Sequence, residues 1–170
     1  SNVLEIVSQY DVIVDATDNA VIRYIISDAC VISGRPMVSG AALRMDGQCT
    51  VYNYPVGCGP CYRCLNPVPP PPETVFKADA AGVSGLAPGI IGSMEALEAI
   101  KIGSGIGEVL AGRMVVMSGR TGQLKTIRMR GKQESCVACG AHKTITDPAK
   151  YDYASFCPPV VLPTSEQLQS

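Results

Sequence analysis

Two short motifs carry the strongest chemical signal in this chain of 170 residues: Cys61-Tyr62-Arg63-Cys64 and Cys136-Val137-Ala138-Cys139. Each pair can turn two thiolates toward one ion, and two pairs complete a closed tetrahedral set. A closed set leaves no open position for water, so the role of the metal is structural. The ion expected is Zn2+, held by Cys61, Cys64, Cys136 and Cys139 and stapling a mid-chain loop to a C-terminal hairpin. Four unrelated buried thiols or two local redox pairs are the alternatives, and the spacing favours zinc. Cys58 is near enough to compete but reads as a bystander, because Cys61 and Cys64 form the tighter pair. Cys30, Cys49 and Cys157 bring the cysteines to 8. A secreted disulfide scaffold is usually smaller and denser in cysteine, which points to a reducing compartment, the cytosol.

The second chemical feature is Asp15-Ala16-Thr17-Asp18-Asn19, at the end of an apolar run. Open α/β sheets bind ligands outside the carboxyl ends of their strands, and a carboxylate there can hold Mg2+ beside nucleotide phosphates. A helix cap uses the same residue types, with Asp18 or Asn19 as the capping residue, and from these five residues alone the cap is favoured. Gly103-Ser104-Gly105-Ile106-Gly107 imitates a phosphate loop. It follows a helix pattern instead of a strand, and Glu108 stands where the last glycine belongs, so it reads as a helix exit. His142 is the single histidine and sits in a polar stretch beside the second cysteine pair, which gives a Cys–His nucleophile little support. Cys157 reads as a bland thiol at the head of a linker.

The elements that must position these groups follow from periodicity. Tyr10 to Ala16 is a short apolar, β-branched run, read as a buried parallel strand. A helix follows from about Ala20 to Ile32, with Ile22, Ile25, Ile26 and Ala29 on one face, stopped by Gly34-Arg35-Pro36. Met37-Val38-Ser39-Gly40 begins another strand, Asp46-Gly47 signals a hairpin turn, and Cys49 to Tyr54 alternates as the return strand. Pro55 to about Ser84 is irregular and contains Pro69-Pro70-Pro71-Pro72, a stiff polyproline stretch. Gly89 to Ile102 reads as a helix whose stripe of Ile90, Ile91, Met94, Ala96, Leu97 and Ile100 packs on a sheet. Met114–Met117 and Gln123–Met129 flank Gly119-Arg120-Thr121-Gly122 as an antiparallel hairpin. From Pro158 the chain is polar, like a linker.

Composition narrows the function classes. Hydrophobic residues make up 46% and the formal net charge is −1, enough apolar content for a core and no bulk attraction to nucleic acid or anionic membrane. Without a basic patch or aromatic platform, a zinc ribbon that binds nucleic acid directly is not supported. No apolar run has membrane-spanning length. No secretory signal opens the chain, and Ser1-Asn2-Val3-Leu4 is no initiator, so a piece of a longer polypeptide is expected.

Several strings together resemble one family, the ubiquitin-activating-enzyme-like MoeB/ThiF adenylating enzymes. They are Asp15-Ala16-Thr17-Asp18-Asn19 with Arg23, Val38-Ser39-Gly40-Ala41-Ala42, Gly47 to Tyr52, and Cys61-Tyr62-Arg63-Cys64. Pro69 to Val75, Gly85 to Gly92 and Glu95 to Lys101 continue the match. The tail, with Cys136 to Gly140, Thr144 to Asp147, Tyr151-Asp152-Tyr153 and Phe156-Cys157, is similar to the eukaryotic members that carry a sulfurtransferase domain after this point. The resemblance implies an α/β fold: the C-terminal half of a Rossmann-like doubly wound sheet with a zinc-stapled antiparallel extension. It implies that residues 1–156 are the C-terminal part of an adenylating domain, with a crossover loop over about 65–84. Residues 157–170 would then link to a rhodanese-like domain.

The implied activity is adenylation, with ATP and Mg2+, of the C-terminal glycine of a ubiquitin-like sulfur carrier ending in Gly-Gly. Thiocarboxylate formation for tRNA thiolation, molybdenum-cofactor synthesis or both would follow. The resemblance makes Asp18 the Mg2+ and nucleotide residue and sets Asn19 beside the adenylate. Arg23 is read as bracing the helix, with a phosphate contact as the alternative. It also implies a homodimer. Two departures qualify it. The family's nucleotide-gripping N-terminal half is absent from these residues, so the chain alone is expected to be inactive. The crossover loop normally carries a cysteine, where this chain has Lys77 or Ala78 depending on register. An engineered cysteine-to-lysine change that would trap the activated glycine as an amide, and a natural lysine, are both open. The runner-up reading is a noncatalytic zinc-stapled binding module for a ubiquitin-like protein.

Overall fold

The computed structural model describes residues 2–70 and 82–156. In chain order these residues form α1 (Val3–Ser8), β1 (Ile13–Asp15), α2 (Ala20–Ile32), β2 (Met37–Leu43), β3 (Asp46–Tyr52), α3 (Tyr62–Leu65), α4 (Leu86–Ser104), β4 (Arg113–Ser118), β5 (Gln123–Arg128) and α5 (Tyr153–Phe156). The strands make one 5-stranded sheet in sequence order. β1 and β2 pair in parallel across the α2 crossover. The remaining pairings are antiparallel, as short connections require. The fold is thus mixed α/β, with one parallel step feeding an antiparallel meander. No helix among the described residues is long and apolar enough to cross a membrane.

The period-2 alternation of the strands decides which helix covers which face. Met37 and Tyr52 are cross-strand partners and share one core cluster with Val7, Ala29 and Cys30, on the side of α1 and α2. One step along, Val38 and Val51 are partners on the opposite face, packed with Cys49, Val115 and Met117 and with Ala87 and Ile91 of α4. The sheet is therefore sandwiched, with α2 on one side and α4 on the other. α2 begins at Asn19, whose side-chain oxygen accepts the Ile22 N–H at 3.2 Å, and runs out at Gly34 with φ 64°.

Two expectations are corrected. Asp46-Gly47 is not the hairpin turn. Leu43 pairs with Asp46, so the turn falls on Arg44-Met45, and Arg44 takes the left-handed conformation at φ 57°. Gly47 is needed for another reason: a Cβ there would lie 2.5 Å from Cγ1 of Ile91, so α4 rests directly on the strand backbone. The second correction concerns α4, which begins a turn earlier than its pattern suggested. Pro88 fits in the first turn, where its missing N–H is not needed. The helix buries Ala87, Ile91, Glu95 and Glu98, while Ile90, Leu97 and Ile100 of the expected stripe face outward with Leu86.

A buried ion pair holds the cysteine-bearing lobe to α2. Arg63 donates from Nε and Nη2 to the Asp28 carboxylate at 2.9 to 3.0 Å, and the Tyr153 hydroxyl donates to Asp28 Oδ2 at 2.7 Å. The rings of Phe156, Tyr24 and Tyr151 lie 4.2, 4.8 and 4.9 Å from the guanidinium carbon. Burial pushes the Asp28 carboxyl up from its ordinary range, and Arg63 opposes that shift.

Two stability measurements test this packing. By urea unfolding, Gly47→Ala is expected to cost about 1–3 kcal/mol through overpacking against Ile91, while Gly85→Ala, open on all sides, changes stability by no more than about 0.5 kcal/mol. Asp28→Ala leaves Arg63 buried without its counter-ion, and a loss of roughly 3–5 kcal/mol is expected in the same assay.

Candidate functional site

β1 ends by delivering Asp15 to a fully buried position. Its Oδ1 accepts the backbone N–H of Thr17 at 3.1 Å and the Thr17 hydroxyl at 2.6 Å. Its Oδ2 accepts Arg23 Nε at 2.6 Å and the Ser39 hydroxyl at 2.9 Å. Arg23 Nη2 donates onward to the Thr17 and Gly40 carbonyls at 2.6 and 3.0 Å. Burial alone would pull the Arg23 pKa down, and Asp15 overcomes it, holding the guanidinium above its usual value. Arg23 is thus the brace that pins the loop after β1 to β2. Its hydrogen-bonding capacity is largely spent inside the protein.

That loop frames a cleft of about 450 Å3 between β2 and α4, whose lining includes Thr17, Asp18, Arg23, Gly40, Ile91 and Glu95. Such a volume suits a small-molecule or peptide segment. Asn19 caps α2, which leaves the neighbouring Asp18 free of that duty. Asp18 is exposed at the cleft, and no hydrogen bond among the described residues takes its carboxylate. A cap and a cleft carboxylate are therefore both present, on adjacent residues.

The second cluster lies at the far end of α2. Cys61, Cys64, Cys136 and Cys139 are all buried, with their four sulfurs within 4.8 Å of one another. The sulfur separations are 3.8 Å for Cys61–Cys64, 3.6 Å for Cys61–Cys136 and 3.3 Å for Cys64–Cys139. A disulfide needs about 2.05 Å, so these are thiols. Tetrahedral Zn–S bonds of about 2.3 Å would set sulfurs roughly 3.8 Å apart, so the box fits such an ion with small adjustment. The Gln133 N–H donates to Cys64 Sγ at 3.4 Å, a contact that suits a thiolate. Hydrogen bonding within the set pulls Cys64 and Cys136 down and pushes Cys61 and Cys139 up, as sulfurs that share protons do.

The other candidates separate cleanly. Cys58 is exposed and outside the four-sulfur group. Cys30 and Cys49 are buried, and desolvation pushes both thiols up to about 12, which makes them inert packing. Gly105 ends α4 in the left-handed conformation at φ 68°, so the glycine-rich stretch there is a helix terminus. His142 is exposed. Lys77, Ala78 and Cys157 lie outside the described residues.

Two buried acids of α4 escaped the sequence reading. Glu95 and Glu98 lie on the inner face of α4. Glu98 accepts the Leu110 N–H at 2.8 Å and pairs with Lys101. Their spacing after Ala87 and Ile91 places all four on one helical face, and that was the available signal.

The ThiF family model matches residues 1–138. The adenylyltransferase and sulfurtransferase MOCS3 of Drosophila willistoni is 54% identical over 157 residues, covering 92% of this chain and 34% of that protein. The protein of the same name from Danio rerio is 47% identical, covering 92% of this chain and 33% of its own length. The chain therefore spans about a third of the relatives it matches. Among solved structures, E. coli MccB with MccA-N7isoASN superposes with a TM-score of 0.59 at 16% identity, covering 76% of this chain and 41% of that one. The microcin C7 biosynthetic enzyme MccB in complex with N-formylated MccA gives 0.60 at 18% identity, covering 76% and 41%. Those two likenesses bear on fold alone. With more than half its length matched by the family model and its elements arranged on the same fold, the chain belongs to the ThiF family.

Proposed function

We propose that this chain supplies one wall of an ATP-dependent site that adenylates the C-terminal glycine of a ubiquitin-like sulfur carrier ending in Gly-Gly. The observation that carries the reading is the free Asp18 carboxylate in a cleft at the carboxyl end of β1. In the reaction, an oxygen of the glycine carboxylate attacks the α-phosphorus of ATP. The bond from that phosphorus to the bridging oxygen breaks, and pyrophosphate leaves. A carboxylate is a poor acyl donor, whereas the acyl adenylate carries AMP as a good leaving group. A nucleophilic sulfur then displaces AMP at the carbonyl: with a persulfide donor the acyl disulfide formed is cleaved by a reducing thiol, and the glycine ends as a thiocarboxylate for tRNA thiolation, molybdenum-cofactor synthesis or both.

Asp18 would hold Mg2+, which supplies charge neutralisation at the phosphates when bound. Asn19 sits beside it as the helix cap, and Arg23 keeps the loop in place. Lys77 or Ala78 stands at the crossover-loop cysteine of the family. The nucleotide-gripping N-terminal half belongs to another stretch of polypeptide, and without it this chain is inactive. The outward Leu86, Ile90, Leu97 and Ile100 of α4 support a homodimer. Zn2+ in the four-cysteine box is structural, and the setting is the cytoplasm.

ATP–pyrophosphate exchange with a Gly-Gly-tailed carrier tests the reading. Exchange is expected only when the N-terminal half is supplied, and Asp18→Asn should lower its rate by roughly 10²-fold or more at fixed Mg2+. Carrier binding without exchange under any condition would support the binding-module reading instead. For the metal, elemental analysis should find zinc at one ion per chain. Cys136→Ser should abolish it and cost about 3 kcal/mol or more, which at this chain length lowers Tm by roughly 6–12 °C.

A further inference from the structure

One carboxylate oxygen in the cleft has no hydrogen-bond partner among the described residues. Glu95 is 5% exposed, and its Oε1 is buried without a hydrogen-bond partner among the described residues. Yet the residue lines the cleft. Leaving such an acceptor unsatisfied is costly, and native structures rarely tolerate it without a reason. Burial pushes the Glu95 carboxyl up from its ordinary range, with the Gly40 amide and Arg23 opposing and Asp15 adding to the shift.

Its surroundings state what kind of donor would fit. The carboxyl lies hard against β2: a Cβ on Gly40 would meet Glu95 Cδ at 2.5 Å and Ile91 Cγ2 at 2.6 Å. Gly40, Ala41 and Ala42 form one wall, and Gly92, with open space where a side chain would begin, belongs to the other. Small residues therefore line both sides of the cleft beside Glu95. An extended chain without side chains offers one N–H to each side at alternate residues. The direction is also marked. Val83 bridges Arg44 at one end of the cleft, where the chain returns from the crossover-loop region, and Asp18 stands in the loop at the end of β1. Val83, Glu95 and Asp18 all line this one cleft.

Building on the adenylation reading above, we infer that Glu95 Oε1 accepts a peptide N–H from the glycine-rich C-terminal segment of the carrier, and so sets how far its carboxylate reaches toward the nucleotide. Glu95 is a tail-reading residue, distinct in role from Asp18.

The test uses a fluorescent peptide ending in Gly-Gly, with versions carrying sarcosine at either of the last two positions, which removes one N–H each time. Binding is measured by anisotropy to this chain assembled with the rest of its enzyme. Glu95→Ala is expected to weaken the Gly-Gly peptide about tenfold, and Glu95→Gln, whose amide oxygen still accepts, to stay within about threefold of the parent. One sarcosine peptide should lose a similar factor with the parent protein and nothing further with Glu95→Ala. Glu95→Gln should melt within a few degrees of the parent, while Glu95→Ala gives up packing against β2 and melts somewhat lower, still folded at the assay temperature. Unchanged binding by Glu95→Ala, or a sarcosine penalty that persists in it, overturns the inference. In pyrophosphate exchange, a raised KM for carrier with an unchanged KM for ATP supports it. The reverse pattern assigns the carboxylate to the nucleotide and overturns it. Absence of exchange by the parent enzyme would remove the adenylation reading, while the peptide comparison would still decide Glu95.

Discussion

A carboxylate removed from water must have its charge met, and at the end of β1 that requirement organises a whole corner of the molecule. Asp15 is met by two groups of Thr17, by Arg23 from α2 and by Ser39 from β2. Those partners come from the loop, the crossover helix and the neighbouring strand of a single βαβ step. Satisfying one buried anion therefore fixes the loop on which Asp18 stands, the orientation of the first turns of α2 and the edge of β2 that floors the cleft. The charge-assisted geometry leaves little freedom, because each donor is short-tethered to an element that is itself packed.

The opposite wall depends on closeness more than charge. α4 lies against β2 and β3 because Gly40 and Gly47 carry no side chain to hold it off. That approach brings Ile91 into the core and Glu95 against the strand. The same helix is apolar outward as well, at Leu86, Ile90, Leu97 and Ile100. A helix apolar on both sides ordinarily has protein on both sides.

Local signals in the sequence reported local structure well. The bounds of α2 followed from Asn19 and Gly34, and the β4–β5 hairpin from its glycine-flanked turn. The four cysteines converge across 75 residues, as their CxxC pairing indicated. What stayed hidden required knowledge of a partner. Asp46-Gly47 resembles a turn dipeptide, but the need for Gly47 arises from Ile91, far away in the chain. The outward stripe of α4 looked like a core face because apolar residues occur all round the helix, and periodicity cannot rank two apolar faces. The Asp28–Arg63–Tyr153 node joins residues separated by 35 and 125 positions, and unlike the paired cysteines these residues carry no motif that marks a shared site. Asp18 and Asn19 were ambiguous because capping and ligand binding use the same chemistry; coordinates separated them.

α2 has one further property. Its first turns carry Arg23 at the cleft, and Asp28, a turn and a half later, grips Arg63, which is flanked by Cys61 and Cys64. One rigid rod thus has a hand in each cluster. Thermodynamic reciprocity then applies to the two ends: any free energy by which closure of the sulfur box steadies the rod is available to a ligand that needs the cleft in order, and a ligand seated in the cleft returns the same amount to the box. The sulfur box and the cleft, far apart in the fold, are joined through a helix of 13 residues.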